Sequence, residues 1–436
     1  MKPLPITANR RRSWPALLSL PIVLVLTSCG LGARQTEQPK DSIKVGILHS
    51  RTGTMSLSEN TVAEAELLAI AEINRSGGIR LKQRRLLIEP IEEDGASDPA
   101  TFAARAARLL DRNKVSVVFG GWTSASRKAM LPIFESRNRM LFYPLQYEGE
   151  ECSANILYAG STPNQQVTPA IQWLKQHRGN AFYLVGSDYV YPRTANRQIR
   201  DQVRQLDGRV VGERYLPLGS EDVAPVIAEI RSLLPSGGVI INTLNGDSNV
   251  SFFKALAAQK LDARHGYSVM SFSVSEEEVA AIGPDVMAGT LASWSFFQSL
   301  PTAASRQFTE RFRQAYGMHR VTNDPAEAAY TMVRLWAAAV ERANSLETPA
   351  LRQALIGLRL QAPQGPVAVH PNLHLSKRAL IGEVRSDGMF RIIHDAGVII
   401  PRPWGSGPAA ERHRCDWLRR PSAAESAAPA PPPGSP

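Results

Sequence analysis

From Ile43 onward the chain alternates short apolar runs with amphipathic stretches, and that rhythm leaves few folds open. Strand-length runs separated by helix-length segments cannot pair as hairpins, so they form parallel strands joined by crossover helices. The strand-like runs are Ile43 to Leu48, Leu86 to Glu92, Val115 to Phe119, Met140 to Tyr143, Phe182 to Val185, Val239 to Leu244 and Tyr267 to Phe272. Between them lie helical patterns at Thr61 to Arg75, Pro99 to Arg112, Ser124 to Glu135, Asn164 to His177, Thr194 to Leu206, Val223 to Leu234 and Val250 to Leu261. About 360 residues of this pattern exceed what one such sheet organises, so two α/β lobes are expected. Three later helices, Ala303 to Tyr316, Pro325 to Ala343 and Leu351 to Leu358, precede strands between Val367 and Ile393. Asp387-Gly388 there marks a hairpin turn. If these late elements complete each lobe, the chain crosses between lobes several times and makes a multi-stranded hinge over a cleft.

The ends speak to location. Lys2, Arg10, Arg11 and Arg12 precede an apolar segment from Trp14 to Leu26, which runs into Leu26-Thr27-Ser28-Cys29-Gly30. About 13 apolar-rich residues fall short of the roughly 20 that span a bilayer, so residues 1–28 read as an export leader. The Leu-x-Ser-Cys ending resembles the bacterial lipobox, which implies a lipid anchor on Cys29 at the cell envelope, on its periplasmic or extracellular face. Residues 29–42 read as a flexible tether. Residues 402–436 read as a basic segment followed by a disordered Pro/Ala-rich tail.

Loss of the leader lowers the formal charge from +10 to +6, and the remaining bases are mostly interleaved with acids, so no nucleic-acid partner is expected. Of three cysteines, Cys152 and Cys415 remain after lipidation. They could pair in an oxidising compartment, though their separation does not demand it. No Cys-x-x-Cys, His cluster, Gly-x-Ser-x-Gly elbow or P-loop is present. Neither a metal, a cofactor nor an enzymatic activity is therefore expected.

The chemically informative stretch is Gly120-Gly121-Trp122-Thr123-Ser124-Ala125-Ser126-Arg127, where a buried strand ends in glycines and hydroxyls open a helix. Small ligands sit at such junctions in open α/β sheets. The glycines let backbone come close, and Thr123 or Ser124 can cap the helix. The unpaired amides of the first turn are donors. A phosphate site would add a Lys and more glycine; an indole beside two hydroxyls suits a small, neutral, polar ligand.

Several blocks resemble the urea-binding lipoproteins of bacterial ATP-driven urea importers. They include Lys44 to Ser50, Val118 to Lys128, Phe142 to Gly149, Pro163 to Gln166, Gly186 to Arg193, Asn242 to Asn249 and Thr322 to Pro325. The resemblance implies a two-lobed periplasmic-binding-protein type I fold, with lobe I at 43–161 and 275–363 and lobe II at 162–274 and 364–401. It also implies partners: urea or a short-chain amide, with an ABC permease and its ATPase. The pocket carried over places Trp122, Ser124 and Tyr143 on one lobe and Tyr189 on the other, and the chemistry of Thr123, Gln146, Asn245, Asp247 and Ser273 adds them as candidates. Urea is flat, with one acceptor and four N–H donors; Ser124 and the helix amides would serve its oxygen. Tyr143, Tyr189, Gln146 and groups from Asn245 to Asp247 would serve its nitrogens, and Trp122 would stack.

Other roles stay open at this point. Tyr191 rather than Tyr189 could face the cleft, Asp247 could cap the helix near Asn249, and Glu276 to Glu278 read as a solvated first turn. Gln146 and Leu145 stand where amide-sensing relatives tend to have Pro and Thr, a departure that points to urea over acetamide. A ligand-sensing lipoprotein and a branched-chain amino acid binder are the competing functions.

Overall fold

A computed structural model describes residues 42–405, 413 and 415–418. The leader, Cys29, the tether and most of the tail lie outside the described residues. The elements run β1 (Ser42–His49), α1 (Ser56–Arg75), β2 (Ile79–Leu81), β3 (Arg84–Asp94), α2 (Pro99–Asp111), β4 (Val117–Gly120), α3 (Ser124–Ser136), β5 (Met140–Tyr143) and β6 (Ile156–Tyr158). Next come α4 (Val167–His177), β7 (Ala181–Ser187), α5 (Val190–Gln205), β8 (Arg209–Leu216), α6 (Ala224–Leu233), β9 (Gly238–Thr243), α7 (Ser248–Ala258), β10 (Tyr267–Ser271), α8 (Glu276–Ile282), α9 (Pro284–Met287) and β11 (Leu291–Trp294). The chain closes with α10 (Ala303–Tyr316), α11 (Asp324–Ala343), α12 (Thr348–Leu355), β12 (Arg359–Ala362), β13 (Gly365–Ala368), β14 (Lys377–Val384) and β15 (Phe390–Ile399).

The strands form two main sheets. The first has the order β2-β3-β1-β4-β5-β6, and the second β15-β14-β11-β10-β9-β7-β8. Both are parallel through their centres, as the continuous apolar runs require, with antiparallel strands only at the edges. Strand β4 is buried along its whole length. Helix α11 covers the first sheet, where Trp336 meets Phe119 edge-on at 5.7 Å.

Strand order locates the site. In the first sheet the direction of winding reverses between β1 and β4, and in the second between β7 and β9. A crevice opens beyond the carboxyl ends of the strands at each switch point. These ends are His49 and Gly120 in the first lobe, Ser187 and Thr243 in the second.

The chain passes between lobes at three places, after β6, after β11 and before β14, where Tyr158 bridges to His374. Ser161 and Ser295 hydroxyls meet at 3.0 Å in two of the crossings. Lys377, fully buried, donates to the Ala159 carbonyl at 3.1 Å and lies 3.8 Å from Asp324. The return to lobe I comes later than residue 275, because β11 pairs with β10 and β14 in the second sheet. Periodicity could not reveal this, since a four-residue buried strand carries no signature of which sheet it joins. The Asp387-Gly388 turn does join β14 to β15, with Val384 opposite Phe390.

The cysteine pairing left open by sequence is decided, and the reading of Glu276 to Glu278 changes. Cys152 and Cys415 are joined in a disulfide, their Cα atoms 6.2 Å apart. Glu276 and Glu278 are buried and not solvated: Glu278 accepts from the Ser275 amide and the Ser58 hydroxyl, and Glu276 from the Gln298 amide. Burial pushes the Glu276 carboxyl up to about 8. Among the described residues no helix is long and apolar enough to cross a membrane.

Candidate functional site

At the end of β4, Gly120 and Gly121 have φ of +141° and +85°. A Cβ on Gly120 would lie 2.0 Å from the Leu48 carbonyl oxygen, so only glycine lets β4 turn so close beside β1. Thr123 is the residue that caps α3, its hydroxyl accepting from the Ser126 amide at 3.1 Å. The Ser124 and Ala125 amides, in the first turn, have no intrahelical acceptor.

Trp122 then reaches the other lobe. Its indole N–H donates to Asn245 Oδ1 at 3.2 Å, and both side chains are buried. Gln146 makes a second crossing, donating from Nε2 to the Phe272 carbonyl at 2.9 Å. The Asp247 amide donates to Thr54 Oγ1 at 3.0 Å, and Gln198 Nε2 to the Glu148 carbonyl at 2.9 Å. A Cβ on Gly246 would lie 2.7 Å from Thr54 Oγ1, so a side chain there would pry the lobes apart.

Beneath the first-lobe wall lies a charge cluster that the sequence reading left out of the site. Arg127, one turn after Ser124 on α3, is fully buried, and a buried guanidinium must be paired. Its Nε donates to Glu151 Oε1 at 2.7 Å, its Nη2 to Glu148 Oε1 at 3.0 Å and its Nη1 to Ser124 Oγ at 2.9 Å. It also lies over the rings of Tyr143 and Tyr147, at 4.9 and 4.6 Å. Lys128 adds a contact to Glu151 at 2.8 Å. Burial alone would raise the Glu151 carboxyl, but Arg127 first and Lys128 second outweigh it and hold it at about 2. Two cations therefore face two carboxylates, and the cluster is neutral.

This cluster fixes where protons point. The Ser124 hydroxyl donates to Glu148 Oε2 while accepting from Arg127, so its remaining capacity is a lone pair. The Tyr143 hydroxyl donates to the Trp122 carbonyl, which likewise leaves it an acceptor. Gln146 gives one N–H to the Phe272 carbonyl, and its Oε1 is buried without a partner among the described residues. The assignment of Ser124 as a donor to the ligand oxygen is thus reversed, because Glu148 takes its proton.

On the second lobe, Tyr191 is buried with its hydroxyl against the Gln146 side chain, whereas Tyr189 is half-buried beside it with ring centroids 6.4 Å apart. Burial raises both phenols and Tyr143 and Glu148 raise each further, while a hydrogen bond with the Gln146 side chain pulls Tyr191 partly back. Asn245 is held by its amide on Ser187 Oγ at 3.0 Å. Ser273 is buried but gives its proton to the Leu244 carbonyl, bracing the loop after β9. Asp247 is exposed and its carboxylate caps nothing; the residue meets the first lobe through its backbone. The signal that could have found Glu148 was Arg127 itself, three residues from Ser124 on a helix whose first turn must be buried. Among the described residues no group of three or more His, Cys, Asp or Glu could hold a metal ion.

A model of the periplasmic binding protein domain matches residues 43–408. The chain belongs to that family. Solved structures similar to this binding protein include an ABC-transporter solute-binding protein of R. palustris in complex with benzoate, with a TM-score of 0.72 and 19% identity over 83% of this chain and 98% of that one. Another, from Rhodopseudomonas palustris HaA2, holds p-hydroxybenzoic acid, with a TM-score of 0.74 and 21% identity over 84% and 99% of the two chains. A third is a branched-chain amino acid binding protein of Streptococcus pneumoniae with isoleucine, with a TM-score of 0.68 and 16% identity over 83% and 100%. At these identities the likeness is one of fold. Among curated proteins, a limonene hydroxylase of Geobacillus stearothermophilus is 27% identical over 120 residues. The match spans 28% of this binding protein and only 22% of that one.

Proposed function

We propose that the binding protein captures urea, or a short-chain amide, between its lobes and delivers it to an ABC permease and ATPase, without chemistry, from a lipid anchor on Cys29. The observation that carries the ligand assignment is a set of buried acceptors on first-lobe residues: Ser124 Oγ and Tyr143 Oη, whose protons are committed elsewhere, and Gln146 Oε1, which has no partner among the described residues. Such a set needs N–H donors opposite it, and urea brings four. Its single carbonyl finds donors in the first-turn amides of α3 and in the Tyr191 hydroxyl, whose proton no acceptor among the described residues takes.

The competing ligand class bears a carboxylate, as in the neighbours that hold benzoate or isoleucine. A carboxylate is held best by a charged donor, and the buried cation of this wall, Arg127, is already matched by Glu148 and Glu151, which leaves an anion only the first-turn amides of α3. Closure transmits the binding event only if the ligand prefers the closed arrangement; filling buried, unpartnered atoms such as Gln146 Oε1 supplies that preference.

Calorimetric titration with urea, acetamide, isoleucine and benzoate tests the proposal. Urea or acetamide should saturate one site and the two carboxylates should not. Saturation by a carboxylate with no response to either amide would refute it. Release of ammonia from urea by the purified protein would refute the absence of chemistry.

A further inference from the structure

Glu148 has no counterpart in a simple picture of ligand contacts, since its oxygens face Ser124 and Arg127. It sits on the loop after β5, buried, with its backbone carbonyl held by Gln198 of the second lobe. Its two carboxylate oxygens do different things: Oε1 accepts from Arg127 Nη2, and Oε2 takes the Ser124 proton. Arg127 Nη1 closes the ring by donating back to Ser124 Oγ. The three side chains therefore form a closed cycle of hydrogen bonds in which every proton has one direction to point.

We infer that Glu148 is the positioning residue that sets ligand polarity, holding Ser124 as an acceptor and cancelling the Arg127 charge, so that the site takes N–H donors and refuses carboxylates. The inference rests on the amide reading proposed above. Two consequences of one side chain act together. With the carboxylate in place, the Ser124 lone pair faces a donor and the buried base of the site is neutral. Without it, a hydroxyl proton and one uncompensated positive charge become available beneath the cleft, which is what an anionic ligand needs.

The exchange Glu148→Gln separates these states with almost no change in shape. The carboxamide keeps an oxygen for Arg127 and turns its NH2 toward Ser124, whose own proton is then released. Arg127 retains Glu151, so its charge is half-supported and the guanidinium stays paired. A purely structural role for Glu148 would weaken all ligands in parallel, whereas a polarity-setting role moves amides and carboxylates in opposite directions.

Titration of the wild-type protein and of the Glu148→Gln, Glu148→Asp and Ser124→Ala variants with urea, acetate and benzoate tests this. Glu148→Gln should lose at least tenfold in urea affinity and gain at least tenfold for acetate or benzoate. Glu148→Asp should restore the wild-type order of preference, because it returns the negative charge. Ser124→Ala should lose at least tenfold for urea and gain nothing for the carboxylates. If wild-type protein binds urea and Glu148→Gln shifts all ligands alike or none, the inference is overturned and the amide reading stands. If wild-type protein itself prefers the carboxylates, the amide reading falls and takes the inference with it. Should Glu148→Gln fail to fold, Ser124→Ala decides: urea affinity within twofold of wild type overturns the inference.

Discussion

Replacing Arg127 by Met removes the charge that the first-lobe wall is built around. The side chain is fully buried and meets Glu151 at 2.7 Å, Glu148 at 3.0 Å and Ser124 at 2.9 Å. Methionine fills most of the space but leaves two carboxylates facing each other. Breaking a buried ion pair by removing one partner costs about 3–5 kcal/mol. Lys128, 2.8 Å from Glu151, stays in place and draws the loss toward the lower end. With an unfolding entropy of roughly 2.1 cal/mol/K per residue over about 360 residues, that loss lowers Tm by about 4–6 °C. The pH dependence gives a sharper signature. Burial would raise the Glu151 carboxyl, but Arg127 pulls it from 4.5 to about 2. A lowered carboxylate pKa stabilises the folded state above the unfolded value and is lost as pH falls toward the folded one. The gap between wild type and Arg127→Met is therefore widest above pH 4.5 and narrows on acidification toward 2. Scanning calorimetry at about pH 7 and about pH 3.5 reads both effects. A Tm change under about 1 °C at neutral pH, or a gap that stays constant with pH, would refute the reasoning.

Three other perturbations test separate parts of the account. Trp122→Phe deletes the 3.2 Å bond to Asn245 and strands a buried acceptor, so urea affinity should fall roughly 5- to 100-fold by calorimetry; an unchanged affinity would mean the two side chains do not latch the lobes. Exchanging Cys152 and Cys415 together for Ser should cost about 2–4 kcal/mol in denaturant unfolding while leaving far-UV circular dichroism unchanged, and a midpoint equal to that of wild type would show that the pairing adds no stability. His49 is fully buried between Glu59 at 3.3 Å and Glu66 at 2.8 Å; burial would lower its pKa, but the two carboxylates outweigh it and hold it at about 9. A raised histidine pKa stabilises below 6.5 and is lost as pH rises through 9, so Tm should fall across that window in wild type and stay level in His49→Gln.

Much of the fold was legible because it follows from local pattern. The apolar runs within β4, β5, β7 and β9 are unbroken, those of β1, β3 and β10 carry polar interruptions, and every one of these strands but β5 is followed next by a helix. The junction from Gly120 to Ser124 was legible for the same reason, since glycine conformation, capping and helix start are all short-range properties. What stayed hidden is set by long-range pairing. Strand β8 is only partly buried, and β11 spans just four residues, so neither announces its sheet. The polarity of Ser124 depends on Glu148, 24 residues downstream, and no spacing rule says which acid a buried arginine will choose. Trp122 and Asn245 meet across 123 residues, and Cys152 and Cys415 across 263, distances at which only the finished fold decides. Asp247 shows the opposite failure: a residue type that suits capping and binding sits exposed and does neither with its side chain.

A crystal structure of the protein grown with urea tests the central claim most directly. Urea nitrogens should lie within hydrogen-bonding distance, about 2.7–3.2 Å, of Ser124 Oγ, Tyr143 Oη and Gln146 Oε1, with the urea oxygen toward the first turn of α3 or Tyr191. Urea seated outside the seam between Trp122 and Asn245, or turned so that its oxygen meets Ser124 Oγ, would contradict the account.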